Sequence, residues 1–128
     1  MHLLAARGEE KGKQLVDEIK VMDVKVDFVK TDMSIEKAVM NFVDFAIKKY
    51  GKIDYYLGNQ GVIYEPKMFA DTPEADVDKV FSVNVKGAFF GMKHVIKQFL
   101  KQSSEKYDHY FLFISYSFKN RLWCILCI

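Results

Sequence analysis

Thr31-Asp32-Met33-Ser34, the stripe Val39, Phe42, Val43, Ala46, Ile47 and Tyr50, then Gly51, and then Ile53-Asp54-Tyr55-Tyr56-Leu57-Gly58-Asn59-Gln60-Gly61 decide the architecture. The stripe recurs at helical spacing and gives one apolar face. Ser34 is placed to cap this helix, Glu36 suits the positive N-terminal end, and Gly51 stands at the usual stop position. The β-rich run at Ile53–Leu57 follows at once and closes in Gly58-Asn59-Gln60-Gly61. A strand end, a helix and a second strand joined by short turns form a unit whose two strands run parallel.

Working outward repeats the alternation. Leu3-Leu4-Ala5-Ala6 reads as the end of a short buried strand, and Glu9 to Lys20 as a helix with Leu15, Val16 and Ile19 on one face. Gly12 weakens that helix without forbidding it. Val24, Val26 and Phe28 alternate with Lys25 and Asp27, the period of a strand with one wetter face. Downstream, Thr72-Pro73 opens a helical region, and apolar residues recur from Val77 through Phe99. The order β-α-β-α-β-α gives an α/β fold with a parallel sheet and helices on both faces.

Composition sets the outer limits. The chain has 128 residues, half of them hydrophobic, with 19 Lys+Arg against 17 Asp+Glu and a formal net charge of +2. This is the make-up of one globular domain, and it argues against disorder and against a strongly basic nucleic-acid binder. No uncharged stretch reaches the roughly 20 residues a membrane-spanning helix needs. The start is too short in apolar residues for a signal peptide, and Cys124 and Cys127, the two cysteines, suit a reducing compartment; the expectation is a cytoplasmic protein. All but two of the charged side chains lie in 1–109, so 110–128 stands apart as an apolar tail with only Lys119 and Arg121 charged.

Ala5-Ala6-Arg7, Thr31-Asp32-Met33-Ser34 and Leu57-Gly58-Asn59-Gln60-Gly61 fall at the carboxyl ends of strands, where open α/β sheets bind ligands. Together with Phe81-Ser82-Val83-Asn84-Val85-Lys86-Gly87, in this order and spacing, they closely resemble the short-chain dehydrogenase/reductase family. The resemblance runs from about Leu3 to Gln102. It implies a partial Rossmann-type doubly wound sheet over 1–109 and hydride transfer between a nicotinamide cofactor and a carbonyl or alcohol. Arg7 would face the 2′-phosphate of NADP, with NAD less favoured, since a guanidinium fork pairs with phosphate and no carboxylate stands at the strand end. Its alternative reading is a solvated Arg opening a charged helix.

The resemblance further implies that Asp32 and the Met33 backbone contact adenine, while Asn59 and Gly61 lie on the ribose side. Gly58 and Gln60 depart from the family's Asn-Asn-Ala-Gly; a Gln in place of a small residue either obstructs adenosine or turns away. Asn84 matches the Asn of the family's catalytic set, whose backbone carbonyl holds a relay water. Read without the family, it marks a helix kink.

Two family features are not in the sequence. No Gly-rich turn opens it, so the chain is expected to start at the family's second strand, leaving two unpaired strand edges where a central strand belongs. None of the seven tyrosines has Lys four residues on, so the Tyr-x-x-x-Lys pair is missing. Tyr110–Ile114 could be the next strand, with Ser115 or Ser117 near the family's catalytic Ser. The Cys124–Cys127 pair lacks further Cys or His at ligand spacing and carries no metal expectation. Lys93, Lys97, Lys101 and Lys106 read as a solvated face. The expectation is therefore a fragment inactive by itself, whose full-length parent acts on a small carbonyl or alcohol. It would have no nucleic-acid or membrane partner, and a homo-oligomer is possible through the Asn84 helix. The competing expectation is a non-catalytic truncated product that associates with a partner or a full-length relative.

Overall fold

Leu3, Leu4 and Ala5 are all buried, yet they belong to two different cores. The computed structural model of the chain describes residues 1–102, 111–114 and 124–127. Strand β1 (His2–Ala6) pairs in parallel with β2 (Val26–Lys30), and successive residues of β1 face opposite sides of the sheet. Leu4 joins Val16 and Val26, with Leu15, Ile19 and Phe28 packed against them. Leu3 and Ala5 join Met33, Val39, Phe42, Val43, Ala46, Ile53, Tyr56, Val95 and Phe99. Helix α1 (Glu9–Lys20) covers the first face; α2 (Glu36–Tyr50) and α4 (Gly87–Gln102) cover the second. The two-sided layering expected of a doubly wound α/β fold is present.

Local rules account for most of the boundaries. Gly51 takes φ +86° and its N–H donates to the Ile47 carbonyl at 2.8 Å, ending α2 in a conformation that a side chain disfavours. Gly12 is required by contact: a Cβ there would lie 2.3 Å from the Phe28 ring, so α1 sits directly on β2. Gly91 does the same for α4, because a Cβ there would meet the Tyr56 hydroxyl of β3 (Tyr55–Gly58) at 1.9 Å. Ser34 does not cap α2. Its N–H and hydroxyl both donate to Asp32 Oδ1, at 2.9 and 2.7 Å, and Ile35 takes the cap position. After a 3₁₀ turn at Phe69–Asp71, α3 (Glu74–Val80) runs through a π-helical segment, Phe81–Lys86, into α4.

The sheet has five strands in the order β2-β1-β5-β3-β4, with β4 spanning Phe111–Ile114 and β5 Cys124–Cys127. Strand β4 lies parallel to β3, as the sequence order requires. Strand β5 runs antiparallel to both neighbours, with Leu126 opposite Leu3 and Tyr56. The two open edges expected beside β1 and β3 are therefore filled, and the sheet is mixed rather than wholly parallel. An apolar stretch of extended backbone meets two strands that otherwise lack partners, which is the physical reason for the insertion. Ser115, Ser117 and Lys106 lie outside the described residues.

Candidate cofactor-binding cleft

A cleft of about 240 Å³ opens at the carboxyl ends of β1 and β2 and at the turn after β3. Its wall is built from Ala5, Ala6 and Arg7, then Gly8 and Lys11, then Thr31, Asp32 and Met33, and finally Gln60, Gly61 and Val83. Four of the six residues predicted to bind or act, Arg7, Asp32, Met33 and Gly61, meet here. Asn59 is half-buried between β3 and the wall, and Asn84 adjoins Val83; neither is part of the lining.

Each wall segment is held by its own bonds. Thr31 is buried, its N–H donates to Ala6 O at 2.9 Å, and its hydroxyl donates to Val29 O at 3.2 Å. The first of these bonds ties the ends of β1 and β2 together beneath the cleft. The two bonds from Ser34 fix the Asp32 carboxylate by one oxygen, and Met33 behind it is 5% exposed, anchored in the core. Gln60 does not turn away: it is buried and lines the cleft. Asn84 clamps the strand-to-helix loop, its Oδ1 accepting from the Val62 N–H at 2.7 Å and its Nδ2 donating to Val62 O at 3.0 Å. The kink reading of Asn84 takes the form of the π segment, where the Gly87 N–H donates to Ser82 O, one residue further back than in an α-helix.

The cleft carries two cations, Arg7 and Lys11, and one carboxylate, Asp32, which accepts from Ser34. Arg7 and Lys11 are exposed at the rim, four residues apart across the start of α1. Among the described residues neither has an ion-pair partner. The neighbouring acid Glu9 is already taken by Lys13 at 2.8 Å and Lys30 at 3.8 Å, and the hydrogen bond from Lys13 holds its carboxyl below the ordinary range. Lys11 was missed by sequence reading, whereas Thr31 and Gln60 stood in the strand-end segments. Lys11 is signalled only by its spacing of four from Arg7, which needs the helix start at Glu9 to be known.

Behind the cleft, Glu36 in the first turn of α2 accepts from Lys93 at 2.7 Å and approaches His94 Nε2 at 3.1 Å, locking α2 to α4. Lys93 thus belongs to a clamp rather than to a solvated face, whereas Lys97 and Lys101 are exposed. No cluster of metal-ligating side chains occurs among the described residues, and none of their helices is long and apolar enough to cross a membrane. In β5, the Cα atoms of Cys124 and Cys127 are three residues apart along an extended strand. That is about 10 Å, too far for the two to form a disulfide with each other.

A family model described as short chain dehydrogenase matches residues 1–106. The chain belongs to the short-chain dehydrogenase family. Among curated relatives it is 33% identical over 96 residues to short-chain dehydrogenase reductase 3a of Arabidopsis thaliana, covering 75% of this chain and 37% of that protein. It is 41% identical over 91 residues to short chain aldehyde dehydrogenase 1 of Euphorbia lathyris, covering 70% and 31%. The chain thus spans well under half the length of these short-chain dehydrogenases. Among solved structures, NAD+-bound xylitol dehydrogenase superposes with a TM-score of 0.75 at 28% identity, over 78% of this chain and 38% of that one. ElxO with NADP bound gives 0.71 at 25% identity, over 79% and 41%. The partial Rossmann-type fold and the oxidoreductase family are shown by these matches and by the strand order.

Proposed function

We propose that this chain carries the adenosine end of an NADP site in a short-chain dehydrogenase/reductase whose full-length form transfers hydride between NADP(H) and a small carbonyl or alcohol. The observation that carries the reading is the uncompensated pair Arg7 and Lys11 at the mouth of a cleft walled by Asp32 and Met33. Two cations without ion-pair partners suit a phosphate dianion, and Arg7 adds the fork geometry that a phosphate accepts. In this reading Asp32, oriented by Ser34, takes the exocyclic amine of adenine, the Met33 backbone contacts the ring, and Gly61 and Asn59 serve the ribose side. NAD is the less favoured cofactor because it offers these cations no phosphate.

The residues present fit the adenosine phosphate end. A turn and helix to hold the pyrophosphate do not occur among the described residues, where β5 occupies the centre of the sheet. The cofactor, when bound, supplies the hydride chemistry; the protein binds and orients it. In this reading Asn84 holds the Val62 loop and serves the proton relay of the whole enzyme, and 128 residues without Tyr-x-x-x-Lys do not turn over substrate alone. Residues 1–109 are the partial dinucleotide-binding unit, and the apolar tail 110–128 adds β4 and β5 to its sheet. The protein works in the cytoplasm, a location that its sparse cysteines suit.

Titration of NADPH and NADH by nucleotide fluorescence tests the reading. NADPH is expected to bind at least about tenfold more tightly than NADH, the worth of a charge-assisted phosphate contact. Arg7→Glu should erase that preference, and Lys11→Ala should reduce it. Equal affinity for the two nucleotides, or an Arg7→Glu chain that still prefers NADPH, would sink it.

The second reading is a non-catalytic product that associates with a partner or full-length relative. It draws support from Phe81, Val85 and Phe89, which are more than half exposed and recur every four residues. The same face supports a homo-oligomer.

A further inference from the structure

The hydrogen-bond pattern of β1 shows what β5 does. The His2 N–H donates to Lys25 O at 2.9 Å, and Ala6 O accepts from Thr31 N–H at 2.9 Å. His2, Leu4 and Ala6 therefore turn their backbone groups toward β2, because along a strand the N–H and C=O of one residue point the same way and alternate residues point oppositely. Leu3 and Ala5 turn theirs the other way, into the space between β1 and β3. With β5 seated both are at most 1% exposed, and a peptide group buried there without a partner is costly. Cys124–Cys127 lies in that space with Leu126 opposite Leu3 and Cys124 opposite Ala5. Those two facing pairs are the hydrogen-bonded ones of the antiparallel ladder.

We propose that Cys124–Cys127 is a plug: this chain's own tail closes a strand-accepting slot between β1 and β3, and its release opens that slot to the same strand of a second copy. Two observations favour a removable plug over an ordinary member of the sheet. The strand runs against both neighbours, in a sheet whose other pairings are parallel. The tail that carries it has only two charges, so it gains by staying out of water wherever it docks.

Direction has a second consequence, which rests on the proposed dinucleotide site. A central parallel strand would end at the ligand edge and turn there into a phosphate-binding helix. β5 instead brings its first residue, Cys124, to the ends of β1 and β3, beside Ala5 and Gly58. While seated, it excludes such a turn. The plug is thus protective toward self-association.

Residue-resolved amide exchange on the ¹⁵N-labelled 128-residue chain tests this without cofactor, so it stands or falls separately from the NADP reading. In the parent chain Leu3 and Ala5 should exchange as slowly as Leu4, at a rate independent of protein concentration. Leu126→Pro removes the N–H that faces Leu3. It should speed exchange at Leu3 and Ala5 by at least about tenfold while Leu4 and Val43 of α2 stay slow. Because the substitution spoils the same strand in every copy, the slot is read with a labelled peptide of parent sequence 122–128: it should co-sediment with Leu126→Pro and not with the parent chain, and Leu126→Ala, which keeps the N–H, should behave as the parent.

Fast exchange of Leu3 and Ala5 in the parent chain overturns the proposal. So does protection that rises with concentration, which assigns the slot to a second copy from the start. Loss of Val43 protection together with Leu3 makes β5 integral to the fold, and a Leu126→Pro chain that opens but captures no parent-sequence peptide removes the interaction role. Either result overturns the plug.

Discussion

Gly12 and Asn84 show how single residues fix the frame around the cleft. Gly12 is a poor helix former by about 1 kcal/mol relative to Ala, yet the Phe28 ring lies where its Cβ would go. Replacement by Ala therefore sets a small propensity gain against a steric overlap that well-packed cores resolve at a cost of about 1–3 kcal/mol. We expect Gly12→Ala to lower the melting temperature and Phe28→Leu to restore part of it in the double variant. An additive double variant would show that ring and helix are not in contact. Asn84 uses both ends of its amide on Val62. Asn84→Ala strands two part-buried backbone groups, and about 1–3 kcal/mol of stability should go with them. Asn84→Asp keeps the acceptor toward the Val62 N–H but sets a carboxylate against the Val62 carbonyl, so it should not rescue. Denaturant unfolding of the three chains decides this, and an undiminished midpoint for Asn84→Ala refutes the clamp.

At the scale of elements, charges tie helices to strands more than they stabilise the whole. Asp27 of β2 accepts from Lys49 at 2.6 Å and from the Tyr50 hydroxyl, both at the C-terminal end of α2. The hydrogen bond from Lys49 comes first, then that from Tyr50, in holding the Asp27 carboxyl below its ordinary value. The folded state thus favours the ionised form. The contribution is fully present above the unfolded value near 3.8 and is lost as pH falls through the lower folded value. Asp27 is partly exposed, so solvent screening keeps the effect to no more than about 1 kcal/mol. Melting temperatures followed from pH 6 down to pH 2 (about the range in which a lowered carboxylate titrates) should fall less steeply for Asp27→Asn than for the parent chain. Parallel curves would mean that the carboxylate gains nothing from folding.

The same scale shows where sequence reading stops. α1 and α2 were legible because their apolar stripes and the Gly51 stop are local signals. The bond of Ser34 to Asp32 in place of a helix cap was not, because both are favourable short-range options for the same hydroxyl. The Asn84 clamp depends on Val62, 22 residues away, and the place of β5 on two strands left without partners. Neither has a periodic signature. Arg7, Asp32, Met33, Gln60 and Gly61 were legible as strand-end residues; Lys11 completes the wall through tertiary placement alone.

Across the whole molecule, apolar surface is distributed unevenly. The buried sides of α2 and α4 close one core, while Phe81, Val85 and Phe89 stay 57%, 52% and 56% exposed along one continuous helical run. Single exposed apolar residues are ordinary, but three at a spacing of four make a stripe of the kind that helices bury against one another. Because these side chains hold little of the core, changing two of them should leave the fold intact. Val85→Glu with Phe89→Glu should therefore keep the melting temperature within about 2 °C, as surface substitutions do. It should also shift any self-association of the parent chain to at least about tenfold higher concentration, since like charges would then face each other across a symmetric contact. Sedimentation velocity over a broad concentration range reads both chains. This association differs in kind from strand exchange: it should leave Leu3 and Ala5 amides protected, whereas release of β5 should expose them. If the double variant associates as strongly as the parent while Leu3 and Ala5 remain protected, both the helical face and the strand slot are eliminated as the contact.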